Sequence, residues 1–156
     1  MLFRQGYQEV PLIFTNILII CVGNICRSPS AERIFRSLLP ESDISSAGIG
    51  ALVGKPIDPS AARCLSQHDY SSDNHIARQV SGAMMNEASL VLVMEKEHQR
   101  FLMERYPSCS GKVMLLGAWV NKEIHDPYRK SDEAFQHVFE QIEESCLSWS
   151  AKLNGG

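Results

Sequence analysis

No apolar run in this chain is long enough to cross a bilayer. The best candidate, Leu12–Val22, is broken by Thr15 and Asn16 and is about half the ~20 residues a membrane helix needs. Glu9 stands where a signal peptide carries positive charge. Ile19 and Ile20 stand where a lipoprotein signal ending at Cys21 wants small residues. A buried strand without membrane insertion is the expectation. The chain also lacks a basic excess: 15 Lys and Arg stand against 18 Asp and Glu, for a net charge of −3. That removes the usual footprint of a nucleic-acid binder. Its five cysteines are an odd number with no CxxC pair, which excludes a disulfide framework or a zinc ribbon. A reduced, cytoplasmic chain without metal or cofactor is expected. No repeat, linker or low-complexity tract divides it, so residues 16–153 read as a single domain and residues 1–15 as an N-terminal extension.

What is present alternates between strand and helix. Asn16–Ile20 is continuous, β-rich and apolar, as a central parallel strand buried on both faces must be. Ser28-Pro29 reads as a serine cap with proline at the first helical position, opening a helix over 29–39. A strand in "DISSAGI" and a helix from Pro59 to Gln67, started by Asp58-Pro59, follow. Strands over 89–95 and 112–117 flank a helix over 96–106. The 131–153 stretch repeats Phe135, Val138, Phe139, Ile142, Cys146 and Trp149 at helical spacing. The fold class is α/β: a three-layer sandwich with a four-stranded parallel sheet flanked by helices.

In such a sheet ligands bind beyond the carboxyl ends of the strands, where the loop from Cys21 to Ser28 lies. Its backbone N–H groups, leading into a helix N-terminus, form an anion nest. Gly23 permits close backbone approach or positive φ, Asn24 tolerates the left-handed region, and Arg27 presents a planar donor fork to phosphate oxygens. The same positive field favours the thiolate of Cys21, a nucleophile facing a bound tetrahedral oxyanion. Phosphoryl transfer then needs only positioning, charge stabilisation and a proton for the leaving group. The loop holds no such acid, so a distant residue must supply it. C-x5-R alone is equally met by a buried cysteine near an unrelated arginine. A nucleotide-binding P-loop would need a lysine that is missing here.

"CVGNICRSPSAE" resembles the active-site loop of the low-molecular-weight protein tyrosine phosphatases, and "SSAGIGALVGKPIDP", "NHIARQV", "LVLVME" and "HDPYRKSDEAF" extend the resemblance from Asn16 to about Trp149. It implies the phosphotyrosine protein phosphatase I-like fold and no metal. It also implies Cys21 as the nucleophile forming a phosphocysteine, Arg27 as the phosphoryl clamp and Ser28 as support for the thiolate. Asp126, in "DPY", becomes the general acid and later the base. By itself Asp126 is as readily a turn residue. Val22, Gly23, Asn24, Ile25, Cys26, Arg27 and Ser28 become the phosphate-binding loop, with phosphate as product or inhibitor. Asn24, Ser46 and His75 match the network that holds this loop. Cys26 matches a second loop cysteine able to pair reversibly with Cys21, with simple packing as the other reading.

Relatives sharing the loop remain alternatives. Thioredoxin-linked arsenate reductases of this fold need redox cysteines after the third strand, where "VLVMEKEHQRFLMERY" has none. Arginine phosphatases carry threonine where Ile25 stands. A non-catalytic phosphotyrosine-binding module has no use for Cys21, Arg27 and Asp126 together. At the rim, Leu52 replaces the aromatic residue of eukaryotic members, and Arg129 and Lys130 follow Tyr128. "ALVGK" and "DPYRKS" resemble bacterial members acting on membrane tyrosine autokinases of capsule and exopolysaccharide export. Such a phosphotyrosine protein is the partner the resemblance implies. Leu52 could equally anchor its loop, and Arg129 with Lys130 could be a solvated pair.

Overall fold

The structure, a computed structural model, describes residues 14–155. Apart from Phe14 and Thr15, the expected extension over 1–15 lies outside those residues. Four strands, β1 (Asn16–Cys21), β2 (Asp43–Gly48), β3 (Leu90–Val93) and β4 (Val113–Leu115), form one parallel sheet in the order β2-β1-β3-β4. The helices are α1 (Arg27–Leu38), α2 (Pro59–Gln67), α3 (Gly82–Glu87), α4 (Lys96–Arg105) and α5 (Asp132–Leu153). Short 3-10 turns span Pro107–Lys112 and Ala118–Val120.

Strand alternation divides the core. Ile17, Ile19 and Cys21 of β1 pack with Ile34 and Phe35 of α1, Leu65 of α2, and Phe139 and Ile142 of α5. Leu18 and Ile20 face the opposite layer, with Met85 of α3 and Leu102 of α4. Both faces of β1 are therefore covered, which is why its sequence is apolar without alternation. In α5, six inward residues from Phe135 to Trp149 are buried at 3–4 spacing. The Trp149 indole N–H donates to the Leu115 carbonyl at 3.2 Å, so the ring enters the core without an orphaned donor. Removing one of these rings, as in Phe139→Ala, carries the ~3–5 kcal/mol cost of a large core truncation.

The helix starts divide by purpose. Asp58 caps α2, its Oδ1 accepting from the Ser60 N–H at 2.9 Å with Pro59 at the first helical position. Ser131 caps α5 through the Ala134 N–H at 3.2 Å. The expected serine cap of α1 is corrected. The helix begins two residues earlier, at Arg27, with Cys26 in the cap position and no side-chain cap bond. Ser28 is instead turned towards Cys21. The first N–H groups of α1 are thus left to a ligand rather than consumed by the chain. Helix α3, capped by Ser81, went unread in the sequence because six residues are too few to show a period.

The topology makes a crevice. From β1 the chain crosses to β2 on one side and later returns to β3 on the other. The carboxyl end of β1 is therefore the switch point of the sheet, and the loop leaving Cys21 occupies it.

Candidate active site

Five consecutive carbonyls of this loop are bonded away from its centre. The Cys21, Val22 and Gly23 oxygens accept from the Ile49, Gly50 and Leu52 N–H groups at 2.9, 3.0 and 3.0 Å. The Asn24 oxygen accepts from His75 Nε2–H at 2.7 Å, and the Ile25 oxygen from the Asp58 N–H at 2.8 Å. With every carbonyl drawn outwards, the N–H groups of Val22 to Cys26 make no hydrogen bond among the described residues. They form a cradle of donors for an oxyanion. Asn24 makes the turn, at φ 59°. The two roles expected of Gly23 are corrected. Its φ is not in the left-handed region, and an added Cβ would meet only side-chain atoms no nearer than 3.6 Å. The close approach occurs at Gly48, where a Cβ would stand 2.3 Å from the Val22 oxygen.

Cys21 lies below this cradle, and a chain of side-chain bonds reaches its sulfur. Ser28 Oγ is 3.0 Å from Cys21 Sγ. Asn24 Nδ2 donates to Ser28 Oγ at 2.8 Å and to Ser46 Oγ at 3.0 Å. Ser46 Oγ–H donates to Glu32 Oε1. The Arg78 N–H donates to Asn24 Oδ1 at 2.9 Å, which fixes the amide orientation. The proton polarity then follows. Glu32 can only accept, so Ser46 donates to it and accepts from Asn24. Both Asn24 amide protons are committed to serines, so Ser28 accepts from Asn24, and its own proton has two acceptors in reach, Cys21 Sγ at 3.0 Å and the Ala47 carbonyl at a longer 3.4 Å. A carboxylate on α1 thereby stands at the far end of a bonded chain that reaches the Cys21 sulfur.

Arg27 is almost fully buried. Its Nη1 donates to Glu95 Oε2 at 2.7 Å and to the Ile124 carbonyl at 2.8 Å. Nε and Nη2 make no hydrogen bond among the described residues, which leaves one edge of the planar fork for two oxygens of a ligand. Burial by itself pushes the Glu95 carboxyl up. The Arg27 bond and charge, with smaller help from His98 and His125, outweigh this and hold it below the usual carboxylate range. Burial, then the charge of Arg27, lowers His98.

The structure brings Asp126 to the cleft. Asp126 Oδ2 is 3.8 Å from Arg27 Nη2, and the side chain is 48% exposed. Its Oδ1 accepts from the Tyr128 N–H at 2.9 Å, so Asp126 is a turn residue and a cleft residue at once. The cleft, about 170 Å³, is lined by Cys21, Ile25, Cys26, Arg27 and Asp126, with Leu52 and Tyr128 at its exposed rim. Arg129 does not line it. It adopts φ 64° and lays its guanidinium 5.5 Å from the centre of the Tyr128 ring. Cys26 is a free, buried thiol, and burial first, then the charge of Cys21, pushes it well above its ordinary value. No group of three or more His, Cys, Asp and Glu side chains suited to a metal occurs among the described residues, and none of their helices is long and apolar enough to cross a membrane.

The loop residues of this site are legible in the sequence, whereas Glu95, Glu32, Arg78 and the Ile124 carbonyl are not. Glu95 carried a usable signal, since it follows β3 at the ligand-binding end of the sheet. Glu32, one helical turn after Ser28, carried a fainter one.

Known proteins share this architecture. The family described as low molecular weight phosphotyrosine protein phosphatase matches residues 16–155. The low molecular weight protein-tyrosine-phosphatase Wzb of Salmonella typhimurium is 49% identical over 143 residues, 91% of this chain and 96% of that protein. Among solved structures, the tyrosine phosphatase Wzb from Escherichia coli K30 in complex with sulphate superposes with a TM-score of 0.87 at 42% identity, covering 90% of this chain and 99% of the other. Vibrio vulnificus Wzb in complex with benzylphosphonate gives 0.87 at 42% identity over 89% and 99%. The YwlE arginine phosphatase from Geobacillus stearothermophilus shares the fold, with a TM-score of 0.84 over 89% and 92%, at only 27% identity. On this agreement of sequence, fold and cleft, the chain belongs to the low-molecular-weight protein-tyrosine-phosphatases, enzymes that work through a cysteine nucleophile.

Proposed function

We propose that this enzyme hydrolyses phosphotyrosine with the following division of labour. The Cys21 thiolate attacks phosphorus in line as the aryl P–O bond breaks, and an S–P bond forms. Asp126 gives its proton to the departing tyrosine oxygen. Water then attacks phosphorus, its proton passes to Asp126, the S–P bond breaks and inorganic phosphate leaves. The loop N–H groups and the free edge of Arg27 hold the equatorial oxygens throughout, and Ser28 steadies the thiolate as it departs. Asn24, Ser46 and His75 keep the cradle in shape. The observation that carries this reading is the set of five outward-bonded loop carbonyls above Cys21, which leaves an unspent cradle over a thiol.

Leu52 and Tyr128 at the rim suit the two faces of a phosphotyrosine ring, and Ile25 lines the cleft where the arginine phosphatases carry threonine. Arg129 and Lys130 beside the rim suit acidic residues flanking the phosphotyrosine. With the resemblance of "ALVGK" and "DPYRKS", these features favour a membrane tyrosine autokinase of capsule or exopolysaccharide export as substrate. The enzyme would then act in the cytoplasm, a compartment that suits five unpaired cysteines. The test is hydrolysis of p-nitrophenyl phosphate and a phosphotyrosine peptide by wild type and Cys21→Ser, with phosphoenzyme trapped in acid quench. Turnover in wild type, none in Cys21→Ser and a labelled Cys21 peptide are expected. Activity in Cys21→Ser, or binding of the peptide without hydrolysis by wild type, overturns the reading.

A further inference from the structure

A second polar concavity lies at the β2 edge of the sheet, between α1 and the segment over 71–78. Its volume is about 620 Å³ and it shares no lining residue with the active cleft. Arg33, Arg36 and Arg78 reach it, against two carboxylates, Glu32 and Asp73. Arg36 pairs with Glu32 and donates to the Ile44 carbonyl, and Arg78 donates to the Ser46 carbonyl, but Arg33 is poorly met. Glu32 Oε1 is taken by Ser46 and Glu32 Oε2 by Arg36. Arg33, whose side chain is only 10% exposed, stands 3.8 Å from that same Oε2. Its Nε finds no hydrogen-bond partner among the described residues. Among the described residues its guanidinium makes one bond, and it is long, 3.4 Å to the Ser71 carbonyl. Burial, and then the neighbouring Arg36 charge against the pull of Glu32, holds Arg33 below the ordinary guanidinium value. A half-buried cation this poorly partnered gains from an anion that completes it.

We propose that this groove is a second ligand site, taking a phosphomonoester on a hydroxyl-rich body such as a sugar phosphate. The phosphate would sit between Arg33 and Arg36, where planar forks offer bidentate contact. The body of the ligand is read from the rest of the lining. Ser45, Ser71 and Asn74 offer small hydroxyl and amide groups, the lining holds no Phe, Tyr or Trp, its one ring, His75, is buried and bonded to the Asn24 carbonyl, and the apolar Ile76 is exposed. The floor of the groove is Glu32 and Ser46, the outer end of the bonded chain that runs through Asn24 and Ser28 to Cys21. An anion that draws Arg36 from Glu32 therefore acts on the final acceptor of the chain that reaches Ser28 and Cys21.

The experiment is a titration of the ¹⁵N-labelled protein with glucose 1-phosphate, followed by NMR at the arginine Nε–H and backbone signals. It is run with and without excess benzylphosphonate in the active cleft. Saturable shifts of Arg33, Arg36 and Asn74 at millimolar probe are expected, unchanged by benzylphosphonate. They should weaken at least tenfold in Arg36→Ala, whose side chain is half exposed, and in Arg33→Gln checked for folding by its thermal transition. No saturable shift overturns the site, as does loss of the shifts with benzylphosphonate or equal binding by Arg36→Ala. Glucose alone binding as well as its phosphate refutes the anion assignment. Inorganic phosphate binding as tightly as glucose 1-phosphate refutes the hydroxyl-rich body.

Discussion

Glu95 holds Arg27, the arginine proposed to grip the phosphoryl group, and Glu95→Ala tests that assignment directly. The substitution removes one of the two acceptors on Arg27 Nη1 and the carboxylate 2.7 Å away, leaving a guanidinium only 2% exposed. Breaking a buried ion pair costs ~3–5 kcal/mol. Glu95 is 21% exposed, so water partly replaces it, and a loss of about 2 kcal/mol in stability is the working figure. The catalytic loss has a separate origin. With the Ile124 carbonyl as the remaining anchor, the fork can pivot, and a misplacement of ~1 Å costs ~10²-fold. A fall of about 10²-fold in kcat/KM, or ~2.7 kcal/mol, is expected, with Glu95→Gln between it and wild type because an amide oxygen still accepts from Nη1. The assay is steady-state hydrolysis of p-nitrophenyl phosphate alongside thermal unfolding followed by circular dichroism. Activity of folded Glu95→Ala within twofold of wild type would refute the reasoning. So would equal losses in Glu95→Gln and Glu95→Ala, since a packing role does not depend on the acceptor.

Asp126→Ala is expected to slow hydrolysis of esters with poor leaving groups by ~10²–10⁴-fold, and much less for leaving groups that depart unprotonated; a uniform loss would return Asp126 to its turn alone. Peroxide should oxidise Cys21 to the sulfenic acid, which Cys26 then attacks, forming the S–S bond and releasing water. Because the Cys26 thiol is pushed up, this closure should quicken as pH rises, and Cys26→Ala should recover less activity with thiol than wild type. Equal recovery with no linked peptide by mass spectrometry would leave Cys26 as packing. His98, lowered from an ordinary value of 6.5, is protonated in the unfolded chain first, so its contribution is present above about that pH and lost as pH falls below it. Glu95 adds a second loss below its ordinary 4.5. The thermal midpoint of wild type should therefore drop from pH 7 to 5, and the slope over that range should flatten in His98→Gln. Gly48→Ala should displace the Val22 carbonyl and lower both stability and phosphate affinity, and unchanged phosphate affinity would count against the backbone packing described for the loop.

Local chemistry carried much of this protein in its sequence. The apolar run of β1, the Asp58-Pro59 start of α2 and the periodic face of α5 each follow from rules a few residues long. The composition of the Cys21–Ser28 loop points to an oxyanion cradle at the end of β1, where the structure has the loop N–H groups. What lay beyond reach was anything whose meaning depends on a partner far along the chain. Ser28 looked like a helix cap because capping is the commonest local use of a serine before proline. Only the fold, by bringing Asn24 and Cys21 against it, bonded it to the amide and the sulfur instead. Gly23 looked like the residue of close approach, yet it is the pairing of Cys21 with Gly48 across β1 and β2 that presses backbone on backbone. Glu95 is 68 positions from Arg27, and Asp126 could be a turn residue or an acid until the cleft assembled. Hydrophobic period, caps and loop composition are local free energies, so sequence alone determines them. The direction of the carbonyls, the polarity of the hydrogen-bond chain and the pairing of buried charge are set by contacts between distant segments, and those exist only once the chain has packed.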